Sequence, residues 1–449
     1  MGKLFGTDGI RGKVNAYPIT PEVALKTGKA IAHVFGAAGH GSKKTIIGKD
    51  TRLSGYMLET ALTSGLVSMG MDVLLVGPIP TPAIAHLTKS MGAAAGIMIT
   101  ASHNPAEDNG IKIFNHQGYK LDDDIEHAIE ESILGDDISS CHIENDKIGK
   151  AYRIDDATGR YIEFAKNSIS NLSLQGMKIV LDCANGGAYH VAPQIFKELG
   201  AETEAVGINP DGYNINLNCG ALYLNNLCKR VTQSGADLGI AFDGDADRVI
   251  FSDNAGNIID GDSIIAICAL ALMKKNKLKK KTVVVTSMTN LGFHKLMHQN
   301  KIKVETTAIG DRYIIEKMRK NNYSLGGEQS GHIILSEYGT TGDGIITALQ
   351  ILKIMKERKT TLKELGSSLT LYPQKLINLT VKEKKPIEKI PAITNILQEC
   401  KKDLADEGRY LIRYSGTENK IRILLEAKQQ QMVDLWSNKI AQIIKSELE

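Results

Sequence analysis

The chain reads as an α/β protein of three similar blocks followed by a smaller α+β domain. Short apolar runs alternate with amphipathic stretches along most of its length, the pattern of strands joined by helices. That alternation restarts near residue 178 and again after Gly261-Asp262. Beyond Pro373 it stops, and two strand-like runs flank a tight loop before a final helical stretch. Blocks of about 100 to 150 residues are ordinary domain sizes.

In the first block, Thr20-Pro21 supplies an N-cap and a first-turn proline for a helix reaching about Phe35. A strand at 45–48, a helix at 55–69, a strand at 73–76, a helix at 82–91 and a strand at 96–100 follow. The second block gives a strand at 178–181, a helix at 191–199, a strand at 202–207, a helix at 227–234 and a strand at 238–242. The third gives strands at 283–285, 304–309 and 324–325, with helices beginning near Asn290 and Asp311. In the tail, strands at 410–414 and 421–425 precede a helix from Gln431, with Pro373 and residues 382–386 as the approach. The expected domains are 1–153, 154–255, 256–368 and 369–449.

The 449 residues are 42% hydrophobic and 23% charged with a net charge of +3, which argues against nucleic-acid or membrane partners. The basic run at 274–281 reads as a solvated helix end. Six scattered cysteines without a CxxC pair suggest reduced thiols. No charged start leads into an apolar core, so no secretory signal is expected, and the longest apolar stretch, 264–273, is too short to span a bilayer. A cytoplasmic protein is the expectation.

Four loops carry chemistry. Thr100-Ala101-Ser102-His103-Asn104-Pro105 leaves the strand at 96–100, placing a serine beside a histidine in an Asn-Pro turn, suited to nucleophilic work. Asp243-Gly244-Asp245-Ala246-Asp247-Arg248 follows the strand at 238–242. Closely spaced carboxylates repel unless a positive charge sits between them, and oxygen-only ligands point to a hard cation, Mg²⁺. An EF-hand does not fit, because Arg248 and Asn254 stand where glycine and glutamate are required. The bland alternative is an acidic turn held by Arg248.

In Gly326-Gly327-Glu328-Gln329-Ser330-Gly331-His332, the residues Glu328, Ser330 and His332 alternate as on a strand and could share a face, suiting vicinal hydroxyls or an amine; the bland alternative, preferred if the other loops are set aside, is a glycine-rich turn with satisfied polar groups. Arg413-Tyr414-Ser415-Gly416-Thr417 places an arginine, hydroxyls and backbone N–H groups around a glycine, a way to hold phosphate. Arg422 either reinforces it or pairs with Glu418. Arg11, Lys49, Arg52 and Lys112 lie near the first block, each open to a reading as plain surface charge. The run at 36–43 is no P-loop, since serine replaces the required lysine and the run precedes a strand.

TASHNP, DGDADR, GGEQSGH and RYSGT resemble, in order and spacing, the motifs of the α-D-phosphohexomutases over essentially the whole chain. FGTDGIRG, GKDTR, GDRY and GEQSGH are similar to the branch acting on glucosamine 6-phosphate; glucose- and mannose-directed relatives usually differ at Gln329. Asn419 departs from the proline usual after the RxSGTE run.

The resemblance implies mixed sheets and four loops around a central cleft. It implies interconversion of glucosamine 6-phosphate and glucosamine 1-phosphate, supplying UDP-N-acetylglucosamine synthesis. Ser102 would be the phosphoserine, with Mg²⁺, one per active site, on Ser102, Asp243, Asp245 and Asp247 and a trace of glucosamine 1,6-bisphosphate as primer. His103, Lys112 and Arg11 would serve catalysis. Glu328, Ser330, His332, Arg413, Ser415, Gly416 and Thr417 would bind the sugar phosphate. The family also allows a homodimer. Outside this reading stand a glucose or mannose specificity, a phosphatase using Asp243, and a non-catalytic sugar-phosphate sensor.

Overall fold

Three mixed sheets and one antiparallel sheet account for the strands of the computed structural model, which describes residues 4–6, 8–37, 42–135, 138, 141, 143–414 and 419–448. The chain divides into two units, Met1–Met288 with Ile302–Ser368, and Thr289–Lys301 with Leu369–Glu449.

The first unit holds the mixed sheets. The largest runs, edge to edge, Phe5–Gly6, Gly9–Lys13, Asp108–Asn115, Ala95–Ile99, Lys44–Lys49, Asp72–Pro78, Ala151–Arg153. The second runs Ile258–Ile259, Val249–Asp253, Leu238–Phe242, Lys178–Asp182, Glu202–Val206. The third runs Lys303–Thr307, Thr282–Thr286, Leu325–Gly327, Ile333–Leu335. One device recurs. In each sheet a strand of the parallel part is followed by a chemistry-bearing loop and then by an antiparallel return strand. The pairings that close these loops are Ile99 with Ile111, Phe242 with Val249, and Gly327 with Ile333. The repetition seen in the sequence is therefore a repetition of this reversal, placing one loop after a strand of the parallel part in each mixed sheet.

The core follows from patterning. Strands covered on both faces are apolar throughout, as in Ala95–Ile99 and Leu238–Phe242, buried at every position. The helices Pro21–Ala37 and Ser54–Val67 pack closely because a side chain at Gly28 would strike Leu62 O at 2.4 Å and one at Gly65 would strike Leu25 O at 2.2 Å. The apolar stretch at 264–273 lies in the buried helix Gly261–Lys274, capped by Asp260, whose carboxylate accepts from Ser263 N at 3.0 Å. Among the described residues no helix is long and apolar enough to cross a membrane.

In the second unit, Gln374–Thr380, Lys420–Ala427 and Gly408–Tyr414 form an antiparallel sheet packed with the helices Pro391–Leu404 and Gln430–Leu448 around Ile393, Ile423, Trp436 and Ile440. Residues 382–386 thus lie inside this unit, after its first strand, and are not its approach. That strand escaped the sequence reading because its burial is mixed along its length. The helix Leu291–Gln299 belongs to the same unit: Glu426, fully buried, accepts from Leu291 N at 2.6 Å and from Arg409 Nε at 2.7 Å.

Candidate active site

The serine loop follows the strand Ala95–Ile99. Ser102 is 1% exposed and sits at φ +53°, a left-handed conformation costly for a residue with a Cβ. Its Oγ donates to Asp243 Oδ2 at 2.7 Å, and His103 Nδ1 lies 3.4 Å from that Oγ. Burial, then the charges of Arg248 and Arg11, push the His103 imidazole down to about 4. Two side chains converge on the carbonyls of Ser102 and Asn104. Arg52 donates to Ser102 O at 3.0 Å and to Asn104 O at 2.8 Å. Asn216, from the second sheet's domain, donates to the same two carbonyls at 2.9 and 3.0 Å. Sequence reasoning placed Arg52 near the first block, open to a reading as surface charge, and did not single out Asn216. The signal for Arg52 was its place just past a strand end, beside the strand that leads to Ser102. Lys49 is also buried, paired with Glu59.

The acidic loop stands against this serine. Asp243, Asp245 and Asp247 are all buried and bring one oxygen each within 4.8 Å of one another. Lys112 reaches in from the return strand of the first sheet, with Nζ at 2.8 Å from Asp245 Oδ2 and 3.2 Å from Asp247 Oδ2. Thr81 donates its hydroxyl to Asp245 Oδ2 at 2.6 Å, a contact the sequence did not reveal. Burial and the neighbouring Asp245 and Asp247 raise the Asp243 carboxyl well above the usual range. At Asp247 burial acts the same way, but Lys112 and His332 outweigh it and hold the carboxyl well below that range. Asp245 Oδ1 is buried without a hydrogen-bond partner. An all-oxygen set with an orphaned, inward carboxylate oxygen fits a hard divalent cation. These residues meet the requirement for a metal site.

The third loop corrects one expectation. Residues 328–332 are not strand-like; Gly331 N donates to Glu328 O and Glu328 N to His332 O, both at 3.0 Å, making a tight turn. Glu328 and Ser330 sit on the outside of that turn, with Ser330 Oγ 3.3 Å from Glu328 Oε2. His332 is buried, with Nδ1 3.4 Å from Asp247 Oδ1 and Nε2 accepting from Gly342 N at 3.1 Å. Gly342 is required there, because a Cβ would lie 2.6 Å from the imidazole. Gln329 turns away, its Nε2 3.4 Å from Asp260 Oδ2 at a helix cap. His332 therefore shares Asp247 with Lys112.

Arg11 pairs with Asp8 and donates to Ala101 O at 3.5 Å, beside the serine loop. In the second unit Arg413 pairs across strands with Arg422. Burial, then Arg422, lowers the Arg413 guanidinium. Like charges directly opposite in a sheet repel. Ser415, Gly416 and Thr417 lie outside the described residues.

The serine, the acidic loop and the buried cations thus lie together on an α/β scaffold. Four family models match in order: the phosphoglucomutase/phosphomannomutase α/β/α domain I at 2–138, domain II at 159–256, domain III at 260–372 and the C-terminal domain at 376–443. The phosphoglucosamine mutase of Pelobacter propionicus is 51% identical over 449 residues, covering 100% of this chain and 99% of its own. That of Syntrophotalea carbinolica is 52% identical over 447 residues, covering 99% of this chain and 98% of its own. A phosphoglucomutase/phosphomannomutase family structure from Burkholderia thailandensis superposes with a TM-score of 0.82 at 24% identity, covering 99% and 97%. The N-acetylphosphoglucosamine mutase of Aspergillus fumigatus, solved with GlcNAc-6P and magnesium, gives 0.68 at 19% identity, covering 99% and 95%. The chain belongs to the phosphoglucomutase/phosphomannomutase family, the α-D-phosphohexomutases, and is an isomerase of that family.

Proposed function

We propose that the chain interconverts glucosamine 6-phosphate and glucosamine 1-phosphate, with Ser102 as phosphoryl carrier. The observation that carries this reading is the 2.7 Å approach of the Ser102 hydroxyl to Asp243 at the rim of the carboxylate cluster. Half-identity along the full length to phosphoglucosamine mutases supports the choice of sugar.

Ser102, carrying a phosphoryl group, gives it to the free hydroxyl of the bound sugar phosphate, forming glucosamine 1,6-bisphosphate. The bisphosphate turns end for end and returns its other phosphoryl to Ser102. Ser102, Asp243, Asp245 and Asp247 would hold one Mg²⁺, which when bound neutralises charge on the transferring group. Lys112 keeps positive charge beside Asp245 and Asp247. Arg11 lies next to the loop backbone, and His103 offers the ring nitrogen nearest the nucleophile. Glu328, Ser330 and His332 read the sugar from the third loop. Arg413 with Ser415, Gly416 and Thr417 grips the phosphate that is not reacting, which aligns the reacting hydroxyl.

In this reading the segments 1–153, 154–255, 256–368 and 369–449 each supply one loop. The product feeds UDP-N-acetylglucosamine synthesis in a bacterial cytoplasm, in keeping with six free cysteines. A homodimer is compatible with it. Phosphorus NMR of purified protein with Mg²⁺, glucosamine 6-phosphate and a trace of bisphosphate tests the reaction. Growth of the 1-phosphate resonance supports it, and release of inorganic phosphate instead rejects it.

A further inference from the structure

We infer that Thr100, Asp50 and Arg52 form a positioning circuit for the phosphoryl-carrying serine, closed through the Thr100 hydroxyl. The inference rests on the reading of Ser102 as carrier. Ser102 N donates to Thr100 Oγ1 at 2.9 Å, and Thr100 Oγ1 donates to Asp50 Oδ2 at 2.7 Å. Arg52 Nε donates to that same oxygen at 2.8 Å, and Arg52 Nη2 donates back to Ser102 O at 3.0 Å. Both backbone groups of Ser102 thus lie on one closed ring of hydrogen bonds, the arrangement in which neighbouring bonds strengthen one another.

The rest of the guanidinium is spent on the same loop. Its remaining N–H groups go to Asn104 O at 2.8 Å, Asp108 O at 3.0 Å and Pro105 O. Arg52, Asp50 and Thr100 are essentially without exposure. A buried ion pair is by itself weak evidence for stability. Here its donors reach loop carbonyls, not core groups, and they surround a non-glycine residue at positive φ, which relaxes unless its surroundings over-determine it. The sheet register sets this up. Lys49 pairs with Ile99, and Asp50 N continues the ladder to Ile99 O at 3.0 Å, so Asp50 and Arg52 arrive beside Thr100.

None of the ring's bonds involves Ser102 Oγ, and Glu328, Ser330 and Arg413 have no part in it. The ring therefore acts on the aim of the nucleophile and not on the grip on the sugar. Its loss appears in kcat and leaves KM alone.

Thr100→Val keeps the shape and removes the hydroxyl; Thr100→Ser restores it. The expected result for Thr100→Val is a kcat about a hundredfold lower, the scale of an ångström-size misplacement, with KM for glucosamine 6-phosphate within about twofold. Thr100→Ser returns kcat to within about threefold of the parent. Hydrogen exchange of the 101–108 backbone in the Mg²⁺-loaded protein is faster in Thr100→Val and normal in Thr100→Ser. Arg52→Lys, which keeps charge but loses the planar fork, gives the same kcat loss and serves if Thr100→Val does not fold. Parent-like kcat and exchange in Thr100→Val, or parent-like kcat in Arg52→Lys, overturns the circuit. If the parent turns over no sugar phosphate, the functional reading fails. The exchange contrast between Val and Ser then still supports the circuit, and its absence overturns it.

Discussion

The serine loop and the Glu328–His332 turn occupy equivalent places in two sheets, yet they are built in opposite ways. Each links a strand of the parallel part to an antiparallel return. Ser102 is buried and at positive φ, and its loop is held by Arg52 and by Asn216 through the same carbonyls. The turn exposes Ser330, and among the described residues Glu328 accepts from Gly310 N at 3.1 Å and Ser330 Oγ at 3.3 Å. Phosphoryl transfer tolerates little displacement, so in the proposed function an over-determined carrier serine is expected. In the same proposal sugar recognition is shared among several polar groups, each of modest weight, which suits a turn with exposed polar atoms.

That contrast orders the expected effects of mutation. Ser102→Ala strikes the over-determined loop and lowers turnover at least about a thousandfold, read by coupled assay, because nothing else there accepts the phosphoryl group. Comparable turnover in that variant breaks the contrast outright. Asp245→Asn, or excess chelator, lowers activity by about 10²- to 10⁴-fold. Titration calorimetry with Mg²⁺ then shows weakened binding for the variant, and unchanged affinity would remove Asp245 from the metal site. Arg413→Ala raises KM and lowers kcat together, each about tenfold, since the distal grip serves both affinity and alignment. A change in KM alone would make it a binding residue only.

Ser330→Ala is the milder change. It shifts KM by about three- to tenfold with kcat nearly intact, the weight of one hydrogen bond. A loss as large as that of Ser102→Ala would show the exposed turn to be no more tolerant than the serine loop. The smallest effect lies on the helix Thr81–Ser90, whose first residue holds Asp245. Burial, then Lys89, pushes His86 on this helix down to about 4, and its ring stacks on Phe164 at 3.7 Å. The unfolded chain binds this proton at about pH 6.5 and the folded one resists it, so the stability is present above that pH and lost as pH falls towards 4. His86→Phe should lose less of its thermal midpoint than the parent between about pH 7 and about pH 5. An identical drop in both proteins would deny His86 that role.

Much of this was legible in the sequence, because periodicity and strand-end motifs are local. The strand at 238–242 matches its structural limits, and Ser102 and the three aspartates sit where strand exits put them. What stayed hidden depended on partners distant in the chain. Arg52 looks like surface charge until the neighbouring strand end brings loop carbonyls to it. Asn216 and Thr81 carry no motif, and their partners, at Ser102 and Asp245, lie over 100 residues away in sequence. The alternation of Glu328, Ser330 and His332 misled because glycines and a turn broke the period-two geometry that a strand would have kept.

The most direct measurement is kcat/KM of the purified protein with Mg²⁺ on glucosamine 6-phosphate beside glucose and mannose 6-phosphates, primed with a trace of bisphosphate. A large preference for glucosamine 6-phosphate is the expected result. Absence of isomerisation for all three, with Ser102 shown by mass spectrometry to be phosphorylated, would contradict the proposed function.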